Sequence, residues 1–335
     1  MTAKRKLLLK NYQSPGDIVM LTAAVRDLHA CYPGQFLTGV STTAPCLWDY
    51  NPFVSPLNEA ESNVTVIDCH YPLIHQSDDT PYHFVWGFIH YLNDILNLKI
   101  KPTRHGGDIH ISKEETLSPS QIHELTGDDT PFWIIAAGGK YDFTIKWWDI
   151  KRYQEVIDYF RGRIQFVQVG EIGHYHPQLR GVIDLRGKTD TRHLVRLLYH
   201  SCGVVCGVTF LMHLAAAVPV RRDRPPNRAA VVVAGGREPT RWEAYPHHQF
   251  LHTVGSLPCC ETSACWKSRT VPIGDYSEHD DPRNLCVDVV NDLPRCMAMI
   301  SAQDVIRRIE MYFEGGNCSY LSSQQYQAAS RACES

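Results

Sequence analysis

A short apolar run that breaks into a helical pattern constrains the start of this chain more than any other feature. Leu7-Leu8-Leu9 read as a buried parallel strand, Ser14-Pro15-Gly16 as a sharp turn, and Ile18, Leu21, Val25 and Leu28 fall on one face of an amphipathic helix. The same alternation recurs along the sequence. Strands are expected at Phe36 to Val40, Val64 to Asp68 and Gly107 to Ile111, then at Phe132 to Ala136, Gln165 to Val169, Gly203 to Cys206 and Ala229 to Ala234. Helices are expected at Pro81 to Leu96, from Ser118 as a cap, and at Trp148 to Phe160, Thr191 to His200, Met212 to Ala217 and Ala302 to Phe313. Alternating elements of this kind build α/β layers, and two series of them predict two doubly wound domains facing one another. The polar run Thr126 to Thr130 marks the boundary, giving domains at 1–127 and 128–318 and a disordered polar tail at 319–335.

A chain of 335 residues is long enough for two such cores. A formal net charge of −3 offers no electrostatic case for nucleic acid or an acidic membrane surface. The charged N-terminus lacks a secretory h-region, and no apolar run approaches a membrane span, so a cytoplasmic protein without stable membrane insertion is expected. Twelve cysteines in that setting point to metal ligation or core filling rather than disulfides.

Asp17 stands where open α/β sheets place their ligand crevices, at the carboxyl end of the first strand. It can cap its helix, and it can also act as a base. The second series carries cations and amides in the matching places. Lys140 and Lys146 follow its first strand, and Gly207-Val208-Thr209-Phe210 lead into the helix bearing His213. No dinucleotide fingerprint, P-loop or Asp-x-Asp occurs, so a diphosphate here must be held by amides and cationic side chains.

Four separated segments, in order, carry a family resemblance over about residues 7–255. Gly16-Asp17-Ile18-Val19-Met20-Leu21-Thr22 with Ala24 to Leu28 is similar to the opening of family 9 glycosyltransferases, the ADP-heptose heptosyltransferases. Lys146-Trp147-Trp148 resembles their Lys-x-Trp segment, Val182 to Thr189 their strand and turn before Gly-Lys-Thr, and Thr209 to Ala217 their phosphate-side helix. The resemblance implies a GT-B architecture of two Rossmann-like domains, the first on the acceptor side and the second holding a nucleotide sugar. It implies an inverting, metal-independent transfer of a sugar, a heptose from ADP-heptose, to an acceptor hydroxyl. Asp17 would be the base. Gly16, Lys140, Lys146, Glu171, Thr209, Phe210 and His213 would contact the donor. Val208-Thr209-Phe210 departs from the family's Asp-Ser-Gly or Asp-Thr-Gly. That departure motivates a second reading, a nucleotide-sugar binding module that no longer transfers. A sugar-nucleotide epimerase of the same architecture is a third. The acceptor, whether glycan, protein or small molecule, is left open.

Cys259-Cys260, Cys265, Cys286 and Cys296 lie in an irregular segment, residues 257–297. Two early and two late thiolates can close a tetrahedral site, here Cys260 or its neighbour Cys259 with Cys265, Cys286 and Cys296. The arrangement resembles the four-cysteine iron finger of bacterial autotransporter heptosyltransferases, which implies structural iron or zinc fastening a loop near the acceptor side. Free buried or redox-active thiols are the alternative. Cys31, Cys69, Cys202 and Cys206 read as core, and His247, His248 and His252 as surface loop residues.

Overall fold

The computed structural model describes residues 4–314 apart from 72, 74, 75, 81 and 226. The expected tail from Ser319 lies outside the described residues. The chain forms two compact units, one of Met1–Ser118 with Ala216–Pro219 and Arg241–Tyr245, the other of Pro119–Ala215, Val220–Thr240 and the remainder from Pro246.

In the first unit, strand β1 (Arg5–Asn11) feeds helix α1 (Pro15–Cys31), followed by β2 (Phe36–Thr42) and β3 (Val64–Asp68). All pairings are parallel and the order is β2-β1-β3. The chain therefore leaves β1 to one side for β2 and returns to its other side for β3, which makes the carboxyl end of β1 a topological switch point. Helix α1 differs from its expected amphipathic form. Every residue from Ile18 to Leu28 is buried, Arg26 and Asp27 included. These two charges pair side by side, with Arg26 Nε 2.9 Å from Asp27 Oδ1 and Nη2 2.9 Å from Oδ2.

Helices α2 (Trp86–Leu96) and α3 (Lys113–Leu117) complete the described elements of this unit up to residue 118. The strand expected at Gly107 to Ile111 does not form. Arg26 donates to the carbonyls of Arg104 and Gly106, and Asp108 N donates to Thr22 Oγ1 at 2.7 Å, so α1 side chains occupy groups a sheet ladder would use. Helix α2 starts five residues later than expected, because Val85 N donates to His83 Nδ1 and holds the approach in a turn.

The second unit opens with α4 (Gln121–Thr126), whose cap is Ser120; its hydroxyl accepts from His123 N, while Ser118 ends α3. The elements then run β4 (Phe132–Ala136), α5 (Ile150–Tyr159), β5 (Gln165–Gln168), β6 (Ile183–Asp184), α6 (Thr191–His200), β7 (Gly203–Gly207), α7 (Phe210–Ala217), β8 (Ala229–Gly235), α8 (Thr240–Glu243), whose residues from Arg241 on belong to the first unit, and β9 (Gln249–His252). A small hairpin of β10 (Val289–Val290) and β11 (Leu293–Pro294) precedes α9 (Arg295–Ala298) and α10 (Ala302–Phe313). The main sheet is parallel throughout, in the order β6-β5-β4-β7-β8-β9, so its switch point lies between β4 and β7. Asp149 caps α5 by accepting from Lys151 N, which leaves Trp148 before the helix. Its indole is buried and donates to the Ile300 carbonyl at 2.8 Å. The Tyr312 hydroxyl donates to Ala230 O and His247 O, tying α10 to the sheet. Among the described residues no helix is long and apolar enough to cross a membrane.

Candidate functional site

Each unit carries its candidate residues at its switch point. In the first, Gly16 and Asp17 form the opening turn of α1 directly beyond β1. Pro15 presets the first helical φ, and a carboxylate in the first turn interacts favourably with the helix dipole. Ser14 N donates to Asp17 Oδ2 at 3.0 Å, so the cap role expected of Asp17 is real. The Tyr71 hydroxyl lies beside this side chain. Burial pushes the Tyr71 phenol up, and the Asp17 and Glu243 charges add to it. Tyr71 had no local signal in the sequence, since it lies in the loop after β3 and reaches Asp17 only through the fold.

Around the same turn, Glu243 and His83 are buried. The His83 ring packs against Tyr245 and stands edge-on to His105. Burial pushes His83 down to about 4, with the His105 charge assisting.

In the second unit, Lys140 and Lys146 bracket the turn after β4. Gly138 is required there: at φ +89°, a Cβ would come 1.9 Å from the Tyr175 carbonyl oxygen. Gly139 and Tyr175 exchange backbone hydrogen bonds of 2.9 and 3.0 Å, which joins the loop after β4 to the loop after β5. Glu171 lies on that second loop, well exposed, with His174 Nδ1 3.4 Å away. Trp147 stacks on Tyr175 with ring centroids 4.3 Å apart.

Lys146 is not a lone cation. Its Nζ lies 2.7 Å from Glu238 Oε1, and Arg237 donates to the same oxygen. Both cations also approach the face of Phe143. Burial alone would push the Glu238 carboxyl up, but the Lys146 and Arg237 charges and the Lys146 hydrogen bond outweigh it and hold it below its ordinary value. The charge of buried His213 on α7 acts on it in the same direction. Thr209 and Phe210 stand half-buried where β7 passes into α7. The structure thus brings Lys146 and His213 to Glu238, whereas Glu171 stands on an exposed turn. The Arg237-Glu238 pair escaped the sequence reading. Its signal was available, as a charged dipeptide directly past the carboxyl end of a β-branched strand.

Cys259, Cys260, Cys265, Cys286 and Cys296 carry free thiols. They line one cavity of about 10 Å³, room for a single small guest. Burial pushes the Cys296 thiol up to about 12, with the neighbouring cysteines adding to it. Cys259 rises to about 11, from burial and the charges of Cys260 and Cys265. A set of thiols matches the donor chemistry of iron or zinc. Even so, no three His, Cys, Asp or Glu side chains among the described residues are arranged to hold a metal ion. The segment belongs to the second unit. Arg237 Nε donates to Lys267 O, Ile145 N to Ser268 O and Thr270 N to Thr144 Oγ1, so it straps the turn that carries Lys146. Two of the three late histidines depart from the expected surface placement: His248 is buried, and burial pushes His247 down to about 4.

The sequence matches no protein-family model, and a search of curated proteins gives no match. Solved structures do match. The glycosyl transferase family 9 from Veillonella parvula DSM 2008 aligns over 93% of this chain and 98% of its own, with a TM-score of 0.63 and 16% identity. The E. coli ADP-heptose LPS heptosyltransferase II aligns over 91% and 97%, at 0.56 and 14%. The iron-containing dodecameric glycosyltransferase TibC from enterotoxigenic E. coli H10407 aligns over 92% and 75%, at 0.54 and 16%. The chain thus has the mixed α/β, parallel-sheet fold of these glycosyltransferase structures, as the order of its motifs implied.

Proposed function

We propose that the chain is a glycosyltransferase that moves a sugar, a heptose from ADP-heptose, to an acceptor hydroxyl with inversion and without a catalytic metal. The observation that carries this reading is the placement of Asp17 in one unit and of Lys146 and the start of α7 in the other, each at a switch point of a parallel sheet, with Arg237 just past the neighbouring β8. The likeness in fold to structures named as heptosyltransferases supports it.

In this reading Asp17 removes the proton of the acceptor hydroxyl as its oxygen bonds to the anomeric carbon. The bond from that carbon to the diphosphate breaks, and the nucleotide diphosphate leaves with the electron pair. Lys146 and Arg237 together outweigh Glu238 by one positive charge, which stabilises the leaving group electrostatically. Lys140 adds a third cation. The amides opening α7 at Thr209 and Phe210, with His213, hold the phosphates. Gly16 keeps the backbone close beside the base, and Glu171 contacts the ribose or base. Asp17→Ala is expected to lower turnover by about a hundredfold to ten-thousandfold, measured as ADP release from ADP-heptose. Full turnover in that variant would sink the proposal.

Five thiols lining one cavity have the donor chemistry of a structural iron or zinc, and although no three of them are arranged to hold an ion, we propose Cys260, Cys265, Cys286 and Cys296 as its ligands, with Cys259 as the alternative to Cys260. When bound, such an ion supplies folding energy and no chemistry. Metal analysis of protein purified without added metal checks it, and a content of iron plus zinc far below one equivalent per chain overturns it.

The binding-module reading is favoured by Val208 and Phe210, which flank Thr209 in place of the family's acidic residue and glycine. Calorimetry that detects ADP-heptose binding, combined with no ADP release, would select it.

A further inference from the structure

A run of hydrogen bonds leads from the end of β1 to Gln13, beside the Tyr71 hydroxyl and the Asp17 carboxylate. It begins at Asn11, which is buried. Its Nδ2 donates to the Cys69 carbonyl at 3.0 Å and to Gln13 Oε1 at 2.8 Å, and its Oδ1 accepts from Gln13 N at 2.9 Å. With Oε1 of Gln13 occupied by Asn11, the amide NH2 of Gln13 is the end that meets the Tyr71 hydroxyl. A hydroxyl that accepts from an amide has its own proton left to give, and the Asp17 carboxylate beside it is placed to take it.

The Tyr71 ring is fixed as firmly as its hydroxyl. It stands edge-on against Phe84 and Phe88, each with centroids 5.1 Å away. A Cβ on Gly87 would come 2.8 Å from Tyr71 Cβ, so the ring can lie against α2 because residue 87 has no side chain. Asp17 is held by Ser14 N within its own turn and has the Tyr71 hydroxyl beside it from outside that turn.

We propose that Tyr71, oriented by Asn11 and Gln13 and wedged against α2, is a positioning residue that aims the Asp17 carboxylate for proton transfer. This rests on the reading of Asp17 as the base. The phenol is flanked by two carboxylates, Asp17 on α1 and Glu243 on α8, which keep it protonated and therefore a donor. His83, which contacts the Glu243 backbone, and His105 beside it complete the titratable groups around the pair. A hydroxyl donating to a carboxylate stabilises its charged form. The base must be charged to act, so removing the donor moves the acid limb of the rate profile upward.

The test is the pH dependence of ADP release from ADP-heptose, with water as acceptor, in Tyr71→Phe and Gln13→Leu beside the unaltered protein and Asp17→Ala. Tyr71→Phe keeps the ring packing. It is expected to lower kcat about tenfold with the KM for ADP-heptose unchanged, and to move the acid limb up by about one pH unit. Gln13→Leu, which leaves the phenol in place, moves the limb the same way by less. If Asp17→Ala abolishes release while Tyr71→Phe keeps both kcat and the acid limb, the Tyr71 proposal is overturned and Asp17 stands. A uniform loss of rate in Tyr71→Phe without movement of the limb overturns it too, since packing alone would do that. If Asp17→Ala keeps full release, the base reading itself falls.

Discussion

The two switch points hold their charges in opposite ways. In the first unit the Asp17 carboxylate accepts from a backbone amide and lies beside a neutral phenol. In the second unit the Lys146 ammonium meets a full counter-charge, buried Glu238, which it shares with Arg237. Dipoles fix a charge in place and leave it undiminished for a reacting partner. A counter-ion fixes it more strongly but consumes most of its field, and only the second cation restores a net positive site. The difference suits the two tasks proposed for them, since a base must be free to accept a proton while a phosphate site needs only surplus positive charge.

The comparison is broken most directly at Glu238. In Glu238→Gln, Lys146 and Arg237 face each other without their counter-charge, which should cost about 3–5 kcal/mol in urea unfolding at neutral pH. The Glu238 carboxyl is held below its ordinary 4.5, so its stabilisation is complete above that value and disappears as pH falls through the lower, folded value. The gap between variant and unaltered protein should therefore narrow in acid. An unchanged midpoint at neutral pH would mean that the ion cluster is no anchor.

A smaller effect belongs to the first unit and to a different pH window. His83 sits at about 4 when folded against an ordinary 6.5, so the unfolded chain takes up the proton first and stability falls as pH drops from about 6.5 towards 4. Between pH 7 and 5 this amounts to about 2 kcal/mol. His83→Asn, whose amide oxygen can replace Nδ1 as acceptor for Val85 N, should remove that part of the slope. An identical slope in the variant would place the acid sensitivity elsewhere.

How far the molecule could be read in advance depended on whether an element's partners were local. Val64–Asp68 and Ala302–Phe313 have the bounds expected of them, because each carries its own signal. For the last helix the signal is a run of Val305, Ile306, Ile309 and Tyr312 on one face, behind a Ser301 cap. Gly107 to Ile111 looked like a strand for its composition, but its neighbour is Arg26, 80 positions earlier than Gly106. Nothing in a β-branched pentapeptide announces that a distant guanidinium will occupy the adjoining carbonyls. The same holds at the sites. Asp17 and Lys146 follow strands, where any open sheet puts its ligands, and could be named from the sequence. Tyr71 and Glu238 owe their importance to what they touch, and contact is a property of the folded chain.

The straps between the cysteine-rich segment and the Lys146 turn bear on how separable the parts of this protein are. A loop of low regularity, rich in one residue type, invites excision or exchange as a cassette. Here Ser268, Arg269 and Thr270 are bonded to Ile145, Tyr141 and Thr144, and Lys267 takes the guanidinium of Arg237. Cutting the segment out would therefore release the turn that presents one cation and the loop that presents the other. A shortened descendant of this chain would have to reinvent a buttress for the Lys146 turn before it could dispense with its cysteines.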